Sequence, residues 1–267
     1  MEIQTRRYSS RRRGQANLVT IAILVGATLV MALALMSYFT GQASRASEER
    51  GLSDYLATLS YSIDTSIVAR YSYTTTDYTG YCYVVQVAWA QGTPIRLYLT
   101  VLPASRISPN TVNVDTDLLK YVPRNVVVNP GSPIQTVYLY LVSDVDADGI
   151  VELVGKGNTV VSEYLPSCYE MLTNETLQLY ELSPINTPME NLYLTPDITL
   201  EAFASQAGIS YEIPVWNLEF SVDESVRDLF VFIKVPTGVD ANSLNLLFLG
   251  VFNNNYYTSY YAPLPPP

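Results

Sequence analysis

Residues Leu18–Phe39 read LVTIAILVGATLVMALALMSYF, inside a 31-residue stretch, Gly14–Ser44, that holds no charged side chain. As a helix rising about 1.5 Å per residue, Leu18–Phe39 would be about 33 Å long, enough to cross a hydrocarbon layer about 30 Å thick. Just before it stand Arg6, Arg7, Arg11, Arg12 and Arg13 against one acid, Glu2, for a net +4 over residues 1–14. Arginines flanking an apolar helix stay on the cytoplasmic side, which sends the remainder of the chain outward. From Gln15 onward 10 basic residues face 24 acidic ones, so the overall charge of −10 conceals a basic start and a strongly acidic body.

Three readings of this segment follow from length and flanks. It is a retained signal-anchor helix, or a secretory signal cleaved near Gly41-Gln42-Ala43, although an ordinary signal core is shorter, about 7–15 residues. The third reading rests on the order of parts: an arginine cluster, Arg13-Gly14, Gln15, then a long apolar helix. Over residues 6–45 this order resembles the class III signal peptide of type IV pilin-like proteins, especially archaeal pilins and archaellins. The resemblance implies that a membrane prepilin peptidase cuts between Gly14 and Gln15 on the cytoplasmic side. The helix is then retained, and the pilus assembly machinery draws subunits out of the membrane into a homopolymeric filament. A glutamate is common five residues into the mature chains of that family; here the position is Val19.

The expected layout is a leader over 1–14, an apolar-then-amphipathic helix over 15–69 and a β-rich extracellular head over 70–267. Ala22 and Gly26 form a small-xxx-small pair that lets helix backbones approach closely, the geometry of packing against like helices. After Arg45, Glu48, Glu49 and Arg50, apolar residues recur at Leu52, Leu56, Leu59, Ile63 and Ile67. Spacings of three and four predict that the helix continues as an amphipathic segment, with Gly51 as a bend.

From Arg70 the periodicity shifts toward two. Strands are expected at Tyr71–Thr76, Tyr81–Trp89, Ile95–Leu102, Asn125–Val128, Thr136–Val142, Leu177–Tyr180, Ile198–Phe203, Asn217–Val222, Leu229–Val235 and Leu244–Val251. They are rich in β-branched and aromatic residues and separated by Pro, Gly, Asn and Asp. The class is therefore α+β: a long N-terminal hydrophobic helix, then an antiparallel β-sandwich, one large or two small, with Pro184–Pro188 as the candidate boundary. The Tyr- and Pro-rich tail from Asn253 reads as an edge strand finishing the sheet, with a disordered polyproline end, or as a surface for adhesion or subunit contacts.

The chemistry on offer is narrow. The chain has no histidine and two cysteines, which removes Ser-His-Asp and Cys-His catalysis and the common zinc sites. No catalytic residues are assigned and no enzyme is expected. An acidic chain is also a poor nucleic-acid partner. Cys82 and Cys168, 86 residues apart, are expected to form a disulfide in an oxidising compartment, or else to stay as two buried thiols. Asn174-Glu175-Thr176 is the sole N-glycosylation sequon.

The sharpest motif is Asp144-Val-Asp146-Ala-Asp148-Gly149-Ile150-Val-Glu152. Carboxylates at alternate positions, a glycine for the turn and the Ile150 carbonyl match the first nine positions of a calcium loop. Position 12 is Gly155, so the bidentate glutamate of an EF-hand is missing, and the flanks read as strands. The motif resembles the DxDxDG loops of β-rich extracellular domains, which implies a structural calcium ion; the other reading is a solvated acidic turn. Together these features suggest a structural subunit of an extracellular pilus-like filament serving surface adhesion, membrane-inserted as a precursor. The alternative is a membrane-anchored surface binding module with a calcium-stabilised sandwich.

Overall fold

The computed structural model describes residues 7–108, 111–122, 126–129, 132–134 and 137–267. Residues 1–6 of the expected leader, and Asn125 and Thr136 at the starts of two expected strands, lie outside the described residues. So do the side chains of residues 7–22, Gln15 and Ala22 among them. The chain divides into two compact units, Met1–Asp54 and Tyr55–Pro267.

Helix α1 (Arg7–Ser62) carries the apolar stretch and spans 56 residues. It passes through Gly51 as unbroken helix. One glycine costs a helix about 1 kcal/mol relative to alanine, which the flanking Glu49, Arg50 and Leu52 readily offset. The helix does not reach residue 69 as expected. It stops at Ser62, and Ile63 opens a strand. The apolar spacing misled because residues four apart share a face in a helix and also in a strand, where four is twice the repeat of two. From Ile63 onward the smaller period rules: Ile63, Thr65 and Ile67 are turned inward while Asp64, Ser66 and Val68 are exposed.

Beyond α1 come β1 (Ile63–Thr74), β2 (Tyr78–Trp89), β3 (Ile95–Ser108), β4 (Thr111–Val114), helix α2 (Thr116–Leu119), β5 (Val126–Asn129), β6 (Ser132–Ile134), β7 (Val137–Ser143), β8 (Glu152–Val154) and β9 (Val160–Ser162). Two short helices, α3 (Cys168–Thr173) and α4 (Glu175–Leu179), lead to β10 (Ile185–Pro188), β11 (Leu192–Thr195) and β12 (Ile198–Thr199). Helix α5 (Leu200–Ala204) precedes β13 (Glu212–Phe220), β14 (Val226–Pro236), β15 (Leu244–Phe252) and β16 (Asn255–Pro263).

One sheet has the order β1-β2-β14-β7-β8-β9, the other β10-β13-β3-β15-β16-β11-β12, with β4 on β3. Pairing is antiparallel apart from the short parallel contact of β11 with β16. The register puts Tyr83, Val231 and Leu139 in one row of the first sheet and Trp216, Leu99 and Phe248 in one row of the second. These two rows belong to a single core between the sheets. Alternate residues of the same strands, Cys82, Phe232 and Tyr138, face the other way and are covered by Cys168, Met171 and Leu172 of α3. The far face of the second sheet, Leu102, Val215 and Leu247, is covered by Leu192, Leu200 and Ala204 around α5.

The head is thus one sandwich whose outer faces are themselves partly roofed. This explains why β14 and β15 read as near-continuous apolar runs rather than clean alternation: both of their faces are buried. The Pro184–Pro188 stretch is not a boundary, since Ile185–Pro188 is β10 and pairs with β13.

Two expected strands are mostly helical. Leu177, Gln178 and Leu179 fall in α4 and Tyr180 ends it; the Asn174 side chain caps the helix start and the buried Gln178 amide donates to the Met171 carbonyl at 2.7 Å. Ile198–Phe203 gives a two-residue strand and then α5, because Leu200 and Ala204 must share one face to cover the sheet. The tail forms the last strand, β16, but not an edge, since β16 lies between β15 and β11, and the residue after it is docked instead of disordered: Leu264 is fully buried and its N–H donates to the Leu244 carbonyl at 2.8 Å.

The final turns of α1 belong to the head. Leu56, Leu59 and Ile63 are buried there. Gly250 of β15 lies against them: a Cβ at Gly250 would stand 2.7 Å from Tyr55 Cε1 and 2.8 Å from Leu59 Cδ1. Only glycine lets strand and helix approach so closely.

Candidate functional site

The most distinctive surface is the apolar part of α1. From Ile23 to Phe39 its large apolar side chains are 51–71% exposed, and no residue of that stretch is buried. By length and composition this helix can cross a membrane. Each such side chain left in water forgoes about 1.5–3 kcal/mol of burial, so the surface demands lipid or protein cover. Two of its hydroxyls turn back on the helix: Thr28 donates to the Val25 carbonyl at 2.9 Å and Thr40 to that of Met36 at 2.7 Å. Nothing lies within 4 Å of where a Gly26 Cβ would stand, so the notch expected for close helix packing is open on this side. Gly14 and Gln15, the expected processing site, lie within the helical backbone of α1.

The acidic motif forms the loop between β7 and β8. Its order comes from its own carboxylates. Asp144 accepts from the backbone N–H groups of Asp148 (3.1 Å) and Gly149 (2.9 Å), and Asp148 accepts from that of Ile150 (2.8 Å). Glu152 is buried, and its Oε2 accepts from the Val145 N–H at 2.8 Å. Ala147 (φ 60°) and Gly149 (φ 88°) take left-handed conformations, which curl the chain around the carboxylates. Oxygens of Asp144, Asp146, Asp148 and Glu152 lie within 4.8 Å of one another. The four carboxylates of the sequence motif are therefore together, three exposed and one buried, in a donor set of the hard oxygen type that suits calcium or magnesium.

Cys82 of β2 and Cys168 at the start of α3 form a disulfide with a Cα separation of 5.8 Å. It pins the helical roof to the first sheet. The roof itself went unread in the sequence, although Ser167-Cys-Tyr-Glu170 is a capping-box signal that could have revealed α3. In the structure Ser167 Oγ accepts from the Glu170 N–H, and Glu170 Oε2 accepts from the Ser167 N–H at 2.8 Å. These bonds, with one from Tyr164, hold the Glu170 carboxyl below its usual range: first the Ser167 backbone, then the Ser167 hydroxyl, then the Tyr164 hydroxyl. Asn174 is exposed where α3 meets α4.

In comparisons with protein-family models, curated proteins and solved structures, nothing matches this chain. Function must therefore be argued from these residues alone.

Proposed function

We propose that this chain is a structural subunit of an extracellular pilus-like filament, made by bundling the apolar parts of α1 with the β heads outward. One observation carries the reading: a long helix whose charge-free stretch holds its apolar side chains exposed, joined to a separately compact β unit. A bundle of like helices would give those side chains the same cover that lipid gives the precursor, while Gly26 and its small neighbours allow close contact. The arginine cluster and Arg13-Gly14-Gln15 support removal of residues 1–14 by a prepilin peptidase on the cytoplasmic side before assembly. Adhesion is the role in keeping with a tyrosine-rich outer surface. N-terminal sequencing of the protein, with electron microscopy of material sheared from cells, tests the reading. The expected result is a chain beginning at Gln15 in thin filaments. An intact Met1 confined to the membrane fraction, with no filaments, would instead establish the anchored surface module.

The acidic loop fits a structural calcium ion held by Asp144, Asp146, Asp148 and Glu152, with the Ile150 carbonyl as a further oxygen. A cation there would relieve the repulsion among crowded carboxylates and brace the β7–β8 hairpin. Saturating the site at about one hundred times its Kd stabilises the folded state by about 2.7 kcal/mol, which raises Tm by about 5–10 °C in a domain of this size. Thermal melts with calcium and with chelator should show that difference, and D146N/D148N should remove it. Superimposable melts would rule out the ion.

A further inference from the structure

Asn174 ends α3 and opens α4, and its backbone leaves the helical region there (φ −103°, ψ 90°). Its side chain is exposed, and Oδ1 accepts from the Thr176 N–H at 3.1 Å. Holding the oxygen of a planar amide against the backbone leaves Nδ2 on the far side. Thr176, two residues on, is exposed as well. Asn-x-Thr is the acceptor sequence of N-linked glycan transfer, and an exposed non-helical corner is accessible to a transferase.

A second observation concerns what lies beside this corner. A groove of about 390 Å³ is lined by Val160, Val161, Leu177 and Tyr180 together with Asn174 and Thr176. Val160 is 40% exposed and Tyr180 48% exposed, so the groove leaves apolar surface in water next to the acceptor amide. A sugar ring has C–H faces that pack on aromatic and aliphatic side chains, and hydroxyls that remain hydrated.

The geometry points to Asn174 as an N-glycosylation site whose first sugars lie along this groove and cover Val160 and Tyr180. In the transfer, Asn174 Nδ2 bonds to the anomeric carbon of an oligosaccharide activated on a polyprenyl phosphate or pyrophosphate. The anomeric C–O bond breaks, the lipid phosphate leaves with its electron pair, and the amide proton passes to a base of the transferase. The assignment goes beyond the filament reading and is independent of it, since any outward-facing head meets the same machinery.

The test uses the full-length protein purified from its own cells, compared with Thr176→Ala and Thr176→Ser made in the same cells. Thr176→Ala removes the acceptor sequence but keeps the Asn174 cap on α4. Mass spectrometry should find a hexose-scale or larger increase on the Asn174 peptide of the native protein, lost in Thr176→Ala and retained in Thr176→Ser. Hydroxyl-radical labelling of Val160 and Tyr180 should be several-fold lower in the glycosylated protein than in Thr176→Ala. An unmodified Asn174 peptide from native material overturns the site. A modified peptide with equal labelling overturns the placement of the sugars in the groove.

Discussion

In the proposed filament, replacing Leu29 by arginine will abolish assembly while leaving the β head folded. Leu29 lies mid-way along the charge-free stretch and is 58% exposed. An arginine at the centre of a membrane helix costs about 2.5–3.5 kcal/mol on insertion scales. In a bundle of like helices the penalty recurs in every subunit, and at about 1.4 kcal/mol per factor of ten it lowers the weight of each assembly step about 60- to 300-fold. Gly26→Leu is the companion variant, because it keeps the segment apolar and able to insert but fills the open notch. Filament yield by electron microscopy should fall to background in Leu29→Arg and sharply in Gly26→Leu. The melting of the head should be unchanged in both, since neither residue belongs to the unit Tyr55–Pro267. Normal filaments from both variants would remove the helix bundle from the account.

The second large effect concerns the Cys82–Cys168 bridge. It closes a loop of 86 residues, for which the chain-entropy model gives a stabilisation of about 4 kcal/mol. That corresponds to a fall in Tm of about 8–16 °C when the bridge is lost. Both cysteines are buried beside Phe232, Tyr138 and Met171, so alanine is the right replacement, avoiding a buried hydroxyl without a partner. The single variants Cys82→Ala and Cys168→Ala and the double variant should melt at similar, lowered temperatures, and adding a reductant should lower only the wild type. A wild-type melt that ignores the reductant would contradict the loop-closure argument. The site of first opening is also expected: α3 and α4 should lose hydrogen-exchange protection before the strands of the central core, because the bridge fastens the roof to β2.

The division between what was readable and what was not follows the range of the interactions. The long helix, the antiparallel β-rich head, the last strand and the acidic loop were legible because each is written in neighbouring residues: an uninterrupted apolar run, period-two alternation, D-x-D-x-D-G. The loop's carboxylates do converge within 4.8 Å, since its turn is closed by local bonds from Asp144 and Asp148. The helix end was misplaced at residue 69 because Leu59, Ile63 and Ile67 satisfy both periodicities. What settles the matter at Ser62 is pairing of Ile63–Thr74 with β2, a contact between segments that spacing alone does not describe. Leu177–Tyr180 and Ile198–Phe203 have strand-like alternation, yet α4 buries Gln178 and leaves Leu179 and Tyr180 exposed, while α5 turns Leu200 and Ala204 together onto the second sheet, a covering role that needs no strand partner.

By itself, then, the sequence determined the elements whose causes are local: one long helix with a charge-free stretch, a body of strands, an acidic loop, a single sequon and two cysteines available for pairing. Tertiary structure decided the rest. It placed β14 and β15 at the centre of their sheets, roofed the outer faces with α3 and α5, brought Cys82 to Cys168, and set Asn174 beside an apolar groove. The physical reason is that burial is a property of two surfaces meeting. A strand's own residues report that a face is apolar, but the surface that covers it comes from elsewhere in the chain. For the exposed flank of α1, no described residue of its own chain provides that cover.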